Sequence, residues 1–509
     1  MTRFPLLICL IGHAWAAFSV VTHADDRPNI LLAISDDQSF AHTSIAGFKA
    51  VETPSFDRIA REGVWFMNAI CGSPGCSPSR ASLLTGRYTW QLEQAGTHAS
   101  EFPKKFEVYP DLLERAGYFV GNTGKAWGPG NWEISGRVRN PAGPQFKDHA
   151  RTQVPANGIK RIDYAGNFHD FLAARPEDRP FCFWYGGYEP HREFEKGSGL
   201  RLGKKLEDVE VPPFLPDTPE IRSDILDYCV EIENFDKHLG QMLRLLEQLG
   251  ELDNTIVVVT SDNGMAFPRA KANCYEYGIH VPMAVRWPGQ IPAGRVVRDL
   301  VGFSDLAPTF LEVARAGPHE AMTGKSMMNV LHSADEGLVD ASREFAYSGR
   351  ERHSSSRWKN LTYPQRALRS QQYLLIRNFR PERWPAGAPQ KYELDGTLGP
   401  LHGAYHDIDA CPSLSYLIEN RDSQSVGRYF HLAVDKRSDW ELFDVEKDPG
   451  CLTNLADDPN YAKIKQELSD QLIQHLLATG DPRILDGGDI YETYTRYSRI
   501  RKFPRPDQD

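Results

Sequence analysis

The sequence predicts an α/β fold: a central, mostly parallel sheet flanked by helices, followed by a smaller C-terminal α+β subdomain with a short antiparallel sheet. Three observations predict it. Several short runs are apolar at every position rather than at alternate ones, as in strands buried on both faces. These runs alternate along the chain with stretches of helical periodicity. After about Tyr363 the pattern changes to short strands and one closing helix.

Taken in order, Asn29-Ile30-Leu31-Leu32-Ala33-Ile34-Ser35 reads as the first buried strand and ends in Asp36-Asp37. Thr53 to Ala60 starts a short helix, Val64 to Ala69 forms a second strand, and Val108 to Ala116 is helical. Gly117 to Gly121 and Phe181 to Tyr185 supply further strands. From Ile221 to Leu249 an apolar stripe (Ile221, Ile225, Ile232, Phe235, Leu239, Met242, Leu246, Leu249) predicts a long helix closed by Gly250. Thr255 to Thr260 follows as a central strand and ends in Ser261-Asp262-Asn263-Gly264. Tyr373 to Asn378, Trp440 to Asp444 and a helix from about Tyr461 to Leu477 make up the C-terminal part.

The 509 residues are 41% hydrophobic and 25% charged, the balance of a globular chain with a large core. A formal net charge of −10 argues against nucleic acid as a partner, yet allows a local basic pocket for an anion. Residues 1–24 read as an export signal: Arg3 lies near the start, Leu6 to Val21 is mostly apolar, and Thr22-His23-Ala24 suits cleavage. A membrane anchor is the rival reading, but His13 interrupts a run already short for a span. Residues 25–362 are then expected as the catalytic domain and 363–509 as the C-terminal subdomain, exported with no membrane span. Seven cysteines lie beyond the signal without a Cys-x-x-Cys pair, and an odd number in an exported chain implies a free or modified thiol. Cys76 is the natural candidate, with Cys71 close by.

Gly72-Ser73-Pro74-Gly75-Cys76-Ser77-Pro78-Ser79-Arg80-Ala81-Ser82-Leu83-Leu84-Thr85-Gly86-Arg87 is the stretch around which the chemistry gathers. Glycine and proline force a turn before Cys76, Pro78 suits a first helical turn, and Gly86 suits the stop. Cys76 therefore sits at or just before a helix N-terminus, where anions are favoured, and Arg80 falls on the same face four residues on. Asp36-Asp37 and Asp262-Asn263 each follow a strand, so they can converge where ligands gather at the carboxyl edge of such sheets. Their hard oxygen donors suit Ca²⁺ or Mg²⁺ rather than zinc.

Cys-x-Pro-x-Arg followed by Ala-Ser-Leu-Leu-Thr-Gly-Arg resembles the signature of the formylglycine-dependent sulfatases, and the chain is most similar to their heparan N-sulfatase subgroup. The resemblance covers Arg27 to about Gly324, the Arg350–Arg369 region and the Trp440–Asp444 strand. It implies an alkaline-phosphatase-like sandwich and a calcium ion held by Asp36, Asp37, Asp262 and Asn263 with the modified Cys76. It also implies a maturation enzyme that oxidises Cys76 to formylglycine (3-oxoalanine). One hydroxyl of the aldehyde hydrate then attacks sulfur, and the other expels sulfate as the aldehyde reforms. By the same resemblance Arg80 and Lys125 neutralise charge, while Lys271 and His191, in Glu189-Pro190-His191-Arg192, grip the sulfuryl group. Arg269 competes with Lys271 for that role.

The family pattern Gly-Lys-x-His is broken here, because Trp127 stands where the histidine belongs; Trp127 can instead form a sugar-stacking wall. His353, ahead of Tyr363-Pro364, and His98 complete the expected substrate contacts. The implied substrate is a sulfated saccharide of glycosaminoglycan type, as O- or N-sulfate. Two other readings fit the same residues: a phosphoester or phosphonate hydrolase on the same fold, and a sulfated-glycan-binding protein without turnover.

Overall fold

The computed structural model describes residues 27–389 and 404–500, so the export signal expected over residues 1–24 lies outside the described residues. Strands β1 (Asn29–Ser35), β2 (Val64–Ile70), β3 (Phe119–Gly124), β4 (Phe181–Gly186), β5 (Thr255–Ser261), β6 (His280–Arg286) and β7 (Arg295–Gly302) form one seven-stranded sheet, in the order β3-β4-β1-β5-β6-β2-β7. All seven residues of β1 and of β5 are buried, as their unbroken apolar runs require. Ile30, Leu32 and Ile34 pack into one core layer and Leu31 and Ala33 into the other, so helices cover both faces. The sheet is parallel except at β6, which runs antiparallel to both β5 and β2.

The long helix spans Pro219–Gln248, with the Thr218 side chain accepting from the Ile221 N–H as its N-cap. A second sheet is wholly antiparallel, in the order β11 (Trp440–Asp444), β10 (Tyr373–Asn378), β9 (Gln365–Arg369), β8 (Ala346–Arg350). It begins earlier than the sequence pattern suggests, since β8 precedes Tyr363. The helix Ala462–Ala478 covers it through Leu468, Leu472 and Leu476 packed on Leu368, Leu375 and Leu442. Among the described residues no helix is long and apolar enough to cross a membrane, and all seven described cysteines are unpaired and buried.

Parallel register sets the site. Ser35 pairs with Ser261, and the Asp262 N–H donates to the Ser35 carbonyl at 3.0 Å, so Asp36-Asp37 and Asp262-Asn263 leave the sheet side by side. Gly124 pairs with Gly186 on the neighbouring strands, which sends Lys125 and the Glu189–Arg192 turn over the same edge.

Candidate active site

The helix carrying Cys76 runs Cys76–Thr85 between an extended Gly75 and a left-handed Gly86. Pro78 is its third residue, where an N–H would still have no intrahelical partner. Every residue of the helix is buried. At Gly75 an added Cβ would come within 3.0 Å of His353 Nδ1 and 4.0 Å of His98 Cδ2, so these two rings, 4.5 Å apart, roof the Cys76 turn.

Cys76 Sγ lies 3.4 Å from Asp36 Oδ1 and 3.9 Å from Asp37 Oδ1. Arg80, with no exposed surface, donates from Nε to Asp262 Oδ2 at 2.7 Å and from Nη1 to the Lys125 carbonyl at 2.6 Å. Lys125 Nζ reaches Asp36 Oδ2 at 2.5 Å, and Lys271 Nζ bridges Asp37 Oδ2 at 2.6 Å and Asp409 Oδ2 at 3.0 Å. The Asp37 N–H donates to Asp262 Oδ1 at 3.1 Å, with Asp37 in a left-handed conformation (φ 74°) that turns its side chain back into the cluster. His191, more exposed, places Nε2 4.0 Å from Asp37 Oδ2 while Nδ1–H donates to the Arg192 carbonyl at 2.6 Å. That bond leaves Nε2 as the nitrogen facing the site.

The electrostatics follow from burial opposed by charge. Burial raises the Asp36 carboxyl, but Lys125, His191, Arg80 and Lys271 together pull it below the usual carboxylate range. Asp262 is pushed up to about 6 by burial and by Asp36, which outweigh Arg80 and Lys125. Burial lowers Lys271, yet Asp37 and Asp409 raise it well above an ordinary lysine. The Cys76 thiol is raised well above its ordinary value, chiefly by burial, so it is neutral. His353 is pushed down to about 3 and His98 well below its usual value, both mainly by burial, so both roof rings are uncharged.

Two polar atoms at this site are buried with no partner: the acceptor Asn263 Oδ1 and the donor Arg80 Nη2. Each unmet buried group costs about 1–3 kcal/mol unless a bound species satisfies it. An oxygen-seeking cation fits the first. Asp36, Asp37 and Asp262 stand beside Asn263, whose Nδ2 holds Asp37 Oδ1 at 2.7 Å. An anion fits the second.

Not every expected residue joins the cluster. Arg269 Nη1 donates to the Leu432 carbonyl at 2.7 Å, Nη2 to that of Cys451, and the guanidinium lies over Tyr275, so it braces the C-terminal part and leaves the basic position to Lys271. Trp127 borders the cavity but is only 3% exposed; Nε1 donates to the Ser77 carbonyl at 3.0 Å and the ring packs edge-on against Phe102. It therefore braces the Cys76 helix and offers no open face for stacking. Asp409 carries no mark in the sequence, because Asp407-Ile408-Asp409 follows no apolar strand run and matches no motif.

A family model described as "Sulfatase" matches residues 28–316. The chain belongs to the sulfatase family. A second model, "N-sulphoglucosamine sulphohydrolase, C-terminal", matches residues 269–385 of this sulfatase. It is 28% identical to human N-sulphoglucosamine sulphohydrolase over 509 aligned residues, covering 93% of this chain and 95% of that one. It is 27% identical to an ulvan-active sulfatase of Formosa agariphila, covering 90% and 76%. Among solved structures, one described as a complex with its substrate D-glucosamine-2-N,6-O-disulfate superposes with a TM-score of 0.62 at 21% identity, covering 89% and 98%. The architecture is the alkaline-phosphatase-like sulfatase fold, and the protein is a sulfuric ester hydrolase or sulfamidase.

Proposed function

We propose that this sulfatase is exported and calcium-dependent, and that it removes sulfate esters or sulfamates from a saccharide of glycosaminoglycan or related sulfated-polysaccharide type, with Cys76 converted to formylglycine. The observation that carries this reading is the convergence on Cys76 of Asp36 at 3.4 Å with Arg80, Lys125 and Lys271 beyond it. Burial keeps the thiol neutral, so the unmodified cysteine is a poor nucleophile in this setting. The aldehyde hydrate of formylglycine supplies a hydroxyl nucleophile and a second hydroxyl for release of sulfate. Asp36, Asp37, Asp262 and Asn263 would hold the calcium ion, which supplies Lewis acidity toward oxygens at Cys76.

The chain's own groups do the rest. Lys125 and Lys271 stand where negative charge on the sulfuryl oxygens builds up, and the free Arg80 Nη2 supplies a further fixed donor. The half-open His191 has Nε2 available to meet the leaving oxygen or nitrogen. His98 and His353, neutral and with their rings tilted at 34° to each other, close the turn above Cys76 against water.

Mass spectrometry of the peptide spanning Cys76, combined with sulfate release from N-sulfoglucosamine and glucosamine 6-sulfate, tests the reading. The expected peptide has exchanged sulfur for oxygen with loss of two hydrogens, and sulfate is released. An unmodified, inactive protein, or a preference for aryl phosphate over all sulfated substrates, would overturn it.

A further inference from the structure

A cavity of about 580 Å³ opens beside the cluster, bordered by Asp36, Lys125 and His191 and also by Trp132, Gly158, Lys160, Glu189 and Glu231. That volume far exceeds a sulfuryl group and lies in the range of sites for whole small molecules. Glu231, on the long helix, is 1% exposed, and its Oε1 has no hydrogen-bond partner. Its neighbour Glu189 is fully engaged, accepting from the Lys160 N–H at 2.9 Å and from Tyr164 Oη at 2.8 Å. Burial first, and Glu189 second, hold the Glu231 carboxyl well above its ordinary value.

A buried carboxyl with an unmet acceptor is costly, and leucine would fill a similar volume without one. Its place on the cavity wall gives the reason. We propose that Glu231 reads a hydroxyl or amino donor on the sugar ring that bears the sulfate, and that Glu231 and Glu189 together exclude a uronate from that position. A ring carboxylate brought against this wall would lose its water to meet the unmet acceptor Glu231 Oε1 and the fully engaged Glu189, neither of which offers it a cation. A hexosamine or neutral sugar brings donors instead. Lys160, exposed at the rim, is free of that restriction and can hold an anionic group of the adjoining residue in a chain.

This inference rests on the saccharide sulfatase reading above, and the experiment separates the two. Full-length enzyme and the variants Glu231→Leu and Glu231→Gln are assayed for sulfate release from N-sulfoglucosamine, glucosamine 6-sulfate and a uronate 2-sulfate, with Tm recorded for each. The wild type acts on a hexosamine substrate and at least tenfold less on the uronate. Glu231→Leu raises KM for the hexosamine about tenfold or more with kcat within about threefold, and Glu231→Gln, which keeps an acceptor oxygen, raises it less. The Tm of Glu231→Leu equals or exceeds that of wild type. Unchanged KM in Glu231→Leu, a lowered Tm, or wild-type turnover of the uronate at a comparable rate would overturn the assignment. Absence of sulfate release from all three by wild type would instead sink the functional reading itself.

Discussion

Asn263 gives the sharpest test of the cation site, because its two side-chain atoms have opposite standing in the cluster. Nδ2 donates to Asp37 at 2.7 Å, a bond to a charged acceptor worth about 1.5–3 kcal/mol. Oδ1 is buried with nothing to accept, at a cost of about 1–3 kcal/mol. Replacing Asn263 by the near-isosteric leucine removes both, together with a second Nδ2 bond to the Gly264 carbonyl at 3.0 Å, so without a divalent ion the variant should be less stable by about 1–2 kcal/mol. A cation at a hundred times its Kd stabilises the wild type by about 2.7 kcal/mol. With an unfolding entropy of about 2.1 cal/mol/K per residue, a chain of this size gains about 2.5 °C in Tm. If loss of one ligand weakens binding about a hundredfold, Asn263→Leu gains only about 0.4 kcal/mol, or less than about half a degree. Thermal unfolding in EDTA and in excess Ca²⁺ measures this directly. Equal Tm gains in both proteins, or no gain in the wild type, would refute the assignment of Asn263 Oδ1 as a ligand.

Other consequences follow from buried groups whose partners are known. Arg80→Ala leaves Asp262 buried without its cation and should lower stability by about 3–5 kcal/mol in urea unfolding. Trp127→Phe removes the donor to the Ser77 carbonyl and part of a packed ring, for a loss of about 2 kcal/mol; Trp127→His, which installs the residue of the family pattern, should cost about 3 kcal/mol or more. His42 is 1% exposed, edge-on to Phe48 and Tyr228, and burial pushes it down to about 3. Its folded value lies below its unfolded one, so the unfolded chain takes up the proton first: the contribution is whole above about pH 6.5 and is lost as pH falls toward 3. At pH 4.5 the deficit is on the order of 2–3 kcal/mol, and the Tm of His42→Phe should fall less than that of wild type between pH 7.5 and 4.5.

The parts of the site legible in the sequence are those fixed by local pattern and strand register. Asp36-Asp37 and Asp262-Asn263 end fully apolar strands, and in-register parallel pairing of β1 with β5 is enough to bring them together. Cys76 and Arg80 share a helix face whatever surrounds them. What the sequence withheld depends on tertiary contact. Arg269 and Lys271 are two residues apart and equally basic, but left-handed residues at Arg269 (φ 72°) and Ala272 (φ 63°) send the first toward Leu432 and the second to Asp37. Trp127 reads as an open aromatic only until its indole N–H is seen on the Cys76 helix. Asp409 reaches Lys271 from the C-terminal part of the chain, a meeting that no local spacing encodes. The antiparallel placement of β6 is equally hidden, since its short His-Val-Pro-Met-Ala-Val-Arg run has no directional mark.

The charge count around Cys76 connects these observations. Arg80, Lys125 and Lys271 face Asp36, Asp37, Asp262 and Asp409, so the buried cluster alone sets three cationic side chains against four carboxylates, one negative charge in excess. A sulfate ester is itself an anion, and a low-dielectric site of net negative sign would repel it. One divalent ion among the strand-end oxygens reverses the excess to one positive charge. A cation held there would therefore act in binding as well as in chemistry: the residues alone would repel an anionic substrate, and with the ion they would attract it. The proposed conversion of Cys76 fits the same count, because an aldehyde hydrate would add a nucleophilic oxygen without the permanent negative charge that a thiolate would bring into the cluster.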